Sequence, residues 1–120
     1  MLRQIKVKET ENYPQRLWFT DRSHDLFVWI NFDRQPLAFQ FCYNKLQNEH
    51  AILWNLQHGY SHQRVDSGEA KDKRYKMSPI MIEDGDIEIL KIAADFKRIN
   101  QRLDPELADF IYQKLLEFHN

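Results

Sequence analysis

Apolar residues in the first two-thirds of the chain recur at every second position, in short runs divided by polar clusters; after about residue 86 the spacing changes to three and four. A period of two marks strands and a period near 3.6 marks helices. The strand-like segments are Ile5–Lys8, with its lysines turned to water as on an edge, then Arg16–Thr20, Asp25–Phe32, Leu37–Tyr43 and His50–Asn55. A shorter piece follows at His62–Asp66, and Met77–Ile82 returns as a last strand that Pro79 confines to an edge. The polar clusters between them, such as Asp21-Arg22-Ser23-His24 and Asp33-Arg34-Gln35-Pro36, carry the residues that favour turns. Short strands joined by short turns predict an antiparallel meander.

The helical part divides in two. Ile89, Ile92, Ala93, Phe96, Ile99 and Leu103 form one apolar stripe of a helix expected from Asp86 to Arg102, with Lys91 and Asp95 four apart on its wet face. Asp104-Pro105-Glu106 starts the second: an aspartate cap, a proline in the first turn and an acid at the positive end of the dipole. Its stripe is Leu107, Phe110, Ile111, Leu115 and Phe118. The pattern predicts an α+β fold in one domain, 1–120. A single antiparallel β-meander sheet of about five to six strands fills 1–82, with a mobile loop near 67–76, and two C-terminal helices in 86–118 pack on one face.

Asp25–Phe32 departs from simple alternation. Leu26, Val28, Ile30 and Phe32 take one face, and Phe27 and Trp29 take the other. A strand buried on one side only should alternate apolar and polar. Two helices cover one face, so a ligand or a partner is expected on the second. A homodimer formed through that sheet face is the simplest cover.

Composition narrows the function. The chain has 120 residues, 42% apolar and 29% charged, a globular balance that needs neither metal nor disulfide to fold. The net charge of −1 argues against a nucleic-acid partner, although Lys71, Lys73, Arg74 and Lys76 form a local basic run. Cys42, the one cysteine, sits in an apolar strand and reads as a buried thiol in a reducing compartment. No secretory segment and no apolar run of membrane-spanning length are evident, so a cytoplasmic protein with no membrane partner is expected.

The densest chemistry lies between His58 and Glu69. In a strand, His62, Arg64 and Asp66 share one face and Gln63 and Val65 the other, with Val65 tucked into the core. His62 and Asp66 are the candidate catalytic pair; Arg64 and Glu69 are candidate ligand contacts, with Arg64 anchoring an anion. The competing reading is a solvated edge with an Arg64–Asp66 ion pair. No third metal ligand is placed by the spacing, so neither a metal nor a cofactor is expected. Gln40 interrupts the small-residue face of Ala38 and Cys42, and with Trp29 on a neighbouring strand it is a further ligand-binding candidate. His24 and Asp25 are neighbours in a turn and point to opposite sides, so adjacency makes no dyad of them.

Leu17-Trp18-Phe19, Asp25-Leu26-Phe27-Val28-Trp29, Phe39-Gln40-Phe41-Cys42-Tyr43, the run from Ser61 to Glu69, and Ser78-Pro79-Ile80-Met81-Ile82 before Asp84-Gly85 together resemble a small bacterial protein family without an assigned activity. The resemblance implies a bacterial protein and transfers no site roles. The expected function is therefore a non-enzymatic binding or interaction module that dimerises through a sheet face. The alternative is a small enzyme, or a binder of a small anionic ligand, using the His62, Arg64 and Asp66 row.

Overall fold

The computed structural model describes residues 1–6, 12–66, 80–83 and 88–118. Among these, β1 (Arg3–Ile5), β2 (Gln15–Thr20), β3 (Asp25–Ile30), β4 (Pro36–Tyr43), β5 (His50–Asn55), β6 (Gly59–Asp66) and β7 (Ile80–Glu83) precede α1 (Ile89–Ile99) and α2 (Pro105–Leu116). The strands lie side by side in chain order, every neighbouring pair antiparallel. The expected α+β meander is present: β1 to β6 run consecutively, and β7 adds to the free edge of β6.

Local chemistry sets the turns. Asp21 Oδ1 accepts from the backbone N–H of Ser23 at 2.9 Å and of His24 at 2.8 Å, closing the β2–β3 turn. Asn44 and Asn48 flank the β4–β5 turn with φ of 56° and 58°, a region asparagine tolerates better than most residues. Gly59 opens β6 at φ 79° in a roomy position, so backbone conformation rather than space asks for glycine there. Asp104 caps α2, its side chain accepting from Leu107 N–H at 3.2 Å, as its sequence predicts.

Alternation decides the layers. Phe19, Leu26, Val28, Ile30, Phe39, Phe41, Ile52 and Trp54 point to one face and form a single core with Ala93, Phe96 and Ile99 of α1 and Ala108, Ile111 and Leu115 of α2. Edge-on ring contacts lock the layers: Phe41 to Phe96 at 5.3 Å, Trp54 to Phe110 at 5.3 Å, and Tyr60 to Phe118 at 5.4 Å between centroids. The opposite face carries half-buried Trp18, Phe27, Trp29, Ala38 and Leu53, and a small buried cluster of Cys42, Ala51 and Val65.

Four expectations change in detail. Phe32 is not on the core face: β3 ends at Ile30, the register shifts between Trp29 and Ile30, and Phe32 stands 77% exposed against the Tyr13 ring. The N-terminal edge strand is Arg3–Ile5 rather than Ile5–Lys8, because Leu2 is anchored in the core and its N–H donates to Ile99 C=O at 2.9 Å; Val7 and Lys8 lie outside the described residues. Described α1 runs from Ile89 to Ile99, and Leu103 packs from the following turn. Asp95 leaves the wet face of α1 and turns half-buried toward the sheet, where a histidine awaits it. The loop expected near 67–76 lies outside the described residues.

Candidate functional site

The last residue of β4 is Tyr43, and the first of β5, directly opposite it, is His50. One strand further, His62 faces Ile52, so it stands diagonal to His50 on the same side of the sheet. Three rings thus rise side by side: Tyr43 and His50 are 5.9 Å apart at 20°, Tyr43 and His62 6.1 Å at 9°, and His50 and His62 5.3 Å at 12°. Near-parallel planes at these separations are offset stacks.

Burial of the two imidazoles is matched by hydrogen bonds. His50 is 9% exposed and His62 6%. His62 Nε2 lies 2.6 Å from Tyr43 Oη. His50 Nδ1 lies 2.8 Å from Asn48 C=O. A carbonyl only accepts, so Nδ1 carries the proton, and in the neutral ring Nε2 is the acceptor.

The α1 helix forms the facing wall. Between it and the rings is a cleft of about 760 Å³, which Lys91, Asp95 and Arg98 line from the helix and Asn44 and Asn48 from the β4–β5 turn. Residues 91, 95 and 98 share one face of a helix, which brings three charges to the cleft. Glu88, at the N-cap, also lines the cleft.

Beside the cleft runs a chain of alternating charge. His24, 6% exposed, stacks on Phe41 at 5.6 Å. Its Nδ1 is 2.8 Å from Asp21 Oδ1 and its Nε2 is 2.5 Å from Asp95 Oδ2. Asp95 also pairs with Arg98. Burial pushes both carboxyls up, but hydrogen bonds outweigh it and both pKa values fall below the usual 3.8: His24 and Ser23 N–H act on Asp21, and His24 and Arg98 on Asp95.

No family model, curated protein or solved structure matches this chain.

The residues singled out from sequence separate. His62 stands in the cleft. Arg64 follows on the same strand face, opposite His50, but is exposed and contributes nothing to the cleft lining. Asp66 closes β6 at the same parity, in register with Ile80; its side chain is outside what is described. Glu69 lies outside the described residues. Gln40 and Trp29 are on the other face of the sheet: Gln40 donates to Cys42 Sγ at 3.3 Å, and Trp29 with Ala38 and Leu53 lines a separate groove of about 430 Å³. Gln40 and Trp29 do not meet His62 in one concavity, because the pleat sends positions 29 and 40 away from position 62. His58 sits exposed in the β5–β6 turn, apart from His62. Among the described residues no group of three or more His, Cys, Asp or Glu is arranged to hold a metal ion.

Sequence reasoning passed over Tyr43, His50 and Arg98, and weighed His24 only against its neighbour Asp25. The signal for the first two was available: residues flanking a short turn face each other, and Tyr43 and His50 flank the turn after β4.

A second polar cluster lies at the start of β3. Asp25 Oδ1 accepts from Thr20 Oγ1 at 2.6 Å, from Trp18 Nε1 at 3.2 Å and from Lys45 Nζ at 3.2 Å. Nearby Glu49 is raised from 4.5 to about 7, first by burial and then by the Asp25 charge, with Lys45 opposing. Burial also pushes the Cys42 thiol up to about 12. Among the described residues no helix is long and apolar enough to cross a membrane.

Proposed function

We propose that the protein is a non-enzymatic binding module whose ligand, a small polar molecule with an acidic group, sits in the cleft between α1 and the ends of β4, β5 and β6. One observation carries this reading: the polar rings of Tyr43, His50 and His62 and the cations Lys91 and Arg98 converge on one cavity of about 760 Å³. Small-molecule sites fall between roughly 300 and 1,000 Å³ and pair apolar surface with a few fixed polar groups. Binding is favoured over turnover because the strongest groups already hold one another: Tyr43 bonds His62, and Asp95 bonds His24 and Arg98. Such pairing pre-organises a recognition surface.

The test is a nuclear magnetic resonance titration of the labelled chain with a panel of phosphates, carboxylates and neutral metabolites. Amide shifts clustered at Tyr43, Asn44, His62 and Ala94 are the expected result. A panel that moves no cleft resonance, or moves only the opposite sheet face, overturns the reading.

A second reading has its own support. Trp18 and Phe27 stack at 5.8 Å on the face away from the helices, with the Arg16 guanidinium 5.2 Å from the Phe27 ring, and Trp29 follows in the same half-buried row. A second copy of the chain packed on this row would remove it from water. Sedimentation velocity checks it: a dimer that Trp29→Lys dissociates supports the reading, and a monomer at millimolar concentration excludes it.

A further inference from the structure

We infer that Arg98 reads the acidic group of the cleft ligand as an oxyanion of the phosphate or carboxylate type, and that Asp21, His24 and Asp95 are positioning residues that aim it. This inference rests on the cleft as the binding site and adds which residue recognises what.

The reasoning starts from the two contacts of His24. Both ring nitrogens face carboxylate oxygens, at 2.8 Å and 2.5 Å, and a carboxylate only accepts. Both contacts are met at once when each nitrogen donates, as a protonated ring does between Asp21 and Asp95. Asp95 in turn holds Arg98, so charge alternates along the chain as minus, plus, minus, plus. The end of this chain that faces the cleft is the positive one.

Anchoring matters because the Arg98 side chain is 69% exposed. An unrestrained arginine loses rotamer entropy on binding, which a ligand would have to offset. Asp95 is fixed by the buried His24, whose side chain is only 8% exposed, and the half-buried Asp21 fixes His24 from the β2–β3 turn. One Arg98 N–H is spent on Asp95. The rest of the planar fork suits two oxygens of one carboxylate or phosphate.

The helix geometry adds a second cation. Lys91 lies seven residues before Arg98, two turns away on the same face, so both cations line the one cleft. Glu88, the remaining acid of the lining, is ten residues from Arg98, about 15 Å along the axis at 1.5 Å per residue. Beyond the Debye length of about 8 Å at physiological salt, its repulsion at the Arg98 end is weak. Asp95 is the carboxylate nearest in sequence to Arg98, and it is already engaged by two cations.

The experiment uses the full chain, with inorganic phosphate, pyrophosphate and citrate as probes in calorimetry and amide-shift titrations. At least one probe should bind with shifts in the cleft, citrate reporting carboxylate recognition and the other two phosphate. Arg98→Ala should weaken that binding about tenfold or more, the effect of a lost charged hydrogen bond, with the melting temperature little changed. Arg98→Lys should restore only part of the affinity, since it keeps the charge and loses the fork. Asp95→Asn should weaken binding less than Arg98→Ala and should also loosen Arg98, read as faster ¹⁵N relaxation of its Nε–H. A purely structural Asp95 would leave that signal unchanged. His24→Gln should behave likewise; if it fails to fold, Asp95→Asn carries the test. Binding that Arg98→Ala leaves intact overturns the inference, as does an Arg98 Nε–H equally mobile in wild type and Asp95→Asn. Failure of all three anions while a neutral ligand moves the cleft resonances overturns it too, and leaves the cleft reading standing. If nothing moves those resonances, both fall.

Discussion

His24 Nε2 lies 2.5 Å from Asp95 Oδ2, across 71 residues of chain, and joins the β2–β3 turn to α1. Because His24 is buried and Asp21 holds its other nitrogen, this link also ties the cleft wall to the core. His24→Ala leaves two half-shielded carboxylates without their shared donor. Urea unfolding at pH 7 should show a loss of about 2 kcal/mol, between an exposed and a fully buried pair.

The pH dependence of that link has a definite sign. Asp21 and Asp95 have folded-state pKa values below the ordinary 3.8. A depressed acid binds fewer protons in the folded state than in the unfolded one, so its stabilising effect is full above the unfolded value and is lost as pH falls through the folded one. Wild type should therefore lose stability steeply as pH drops below 3.8, and His24→Ala should lose less over the same interval. Equal acid slopes in the two chains would contradict this.

Glu49 works in the opposite direction. Its folded pKa of about 7 lies above the ordinary 4.5, so the folded state holds the extra proton between those values. Stability then falls as pH rises from 4.5 to 7 and levels off above. Glu49→Gln removes the titration: thermal melts should show the variant gaining on wild type at pH 8 and not at pH 4.

Cys42 is 3% exposed and its thiol is pushed up to about 12 by burial. The reactive thiolate is then scarce at neutral pH, and access is closed. A thiol reagent such as Ellman's should react with native protein only at the rate of opening, and at once in denaturant. Fast labelling of the native chain would show that the face carrying Cys42, Ala51 and Val65 opens freely.

Asp104 caps α2 through Leu107 N–H at 3.2 Å. Asp104→Ala should cost about 1 kcal/mol in chemical denaturation, the usual loss for a removed N-cap. Asp104→Asn, which keeps the acceptor oxygen, should recover most of it.

How much of this was legible beforehand follows from range. Strand boundaries at β2, β4 and β5 and the start of α2 were readable because alternation, turn residues and Asp104-Pro105 act within a few positions. The face shared by His62 and Arg64 was readable for the same reason, as strand parity is local. The end of β3 was not, since the shift at Trp29 depends on how β4 pairs with it, and Phe32 left the core as a result.

By itself the sequence determined the order of elements, the two faces of the sheet and the apolar stripes of the helices, because backbone sterics and burial repeat at fixed short periods. Only the tertiary structure decided that His50 and Tyr43 stand beside His62, and that Asp95 turns inward to His24 while Arg98 looks into the cleft. Periodicity turns the stripe of α1 toward the sheet, but which strand residue each stripe position meets, as Phe96 meets Phe41, is a contact between distant segments that neither one encodes alone.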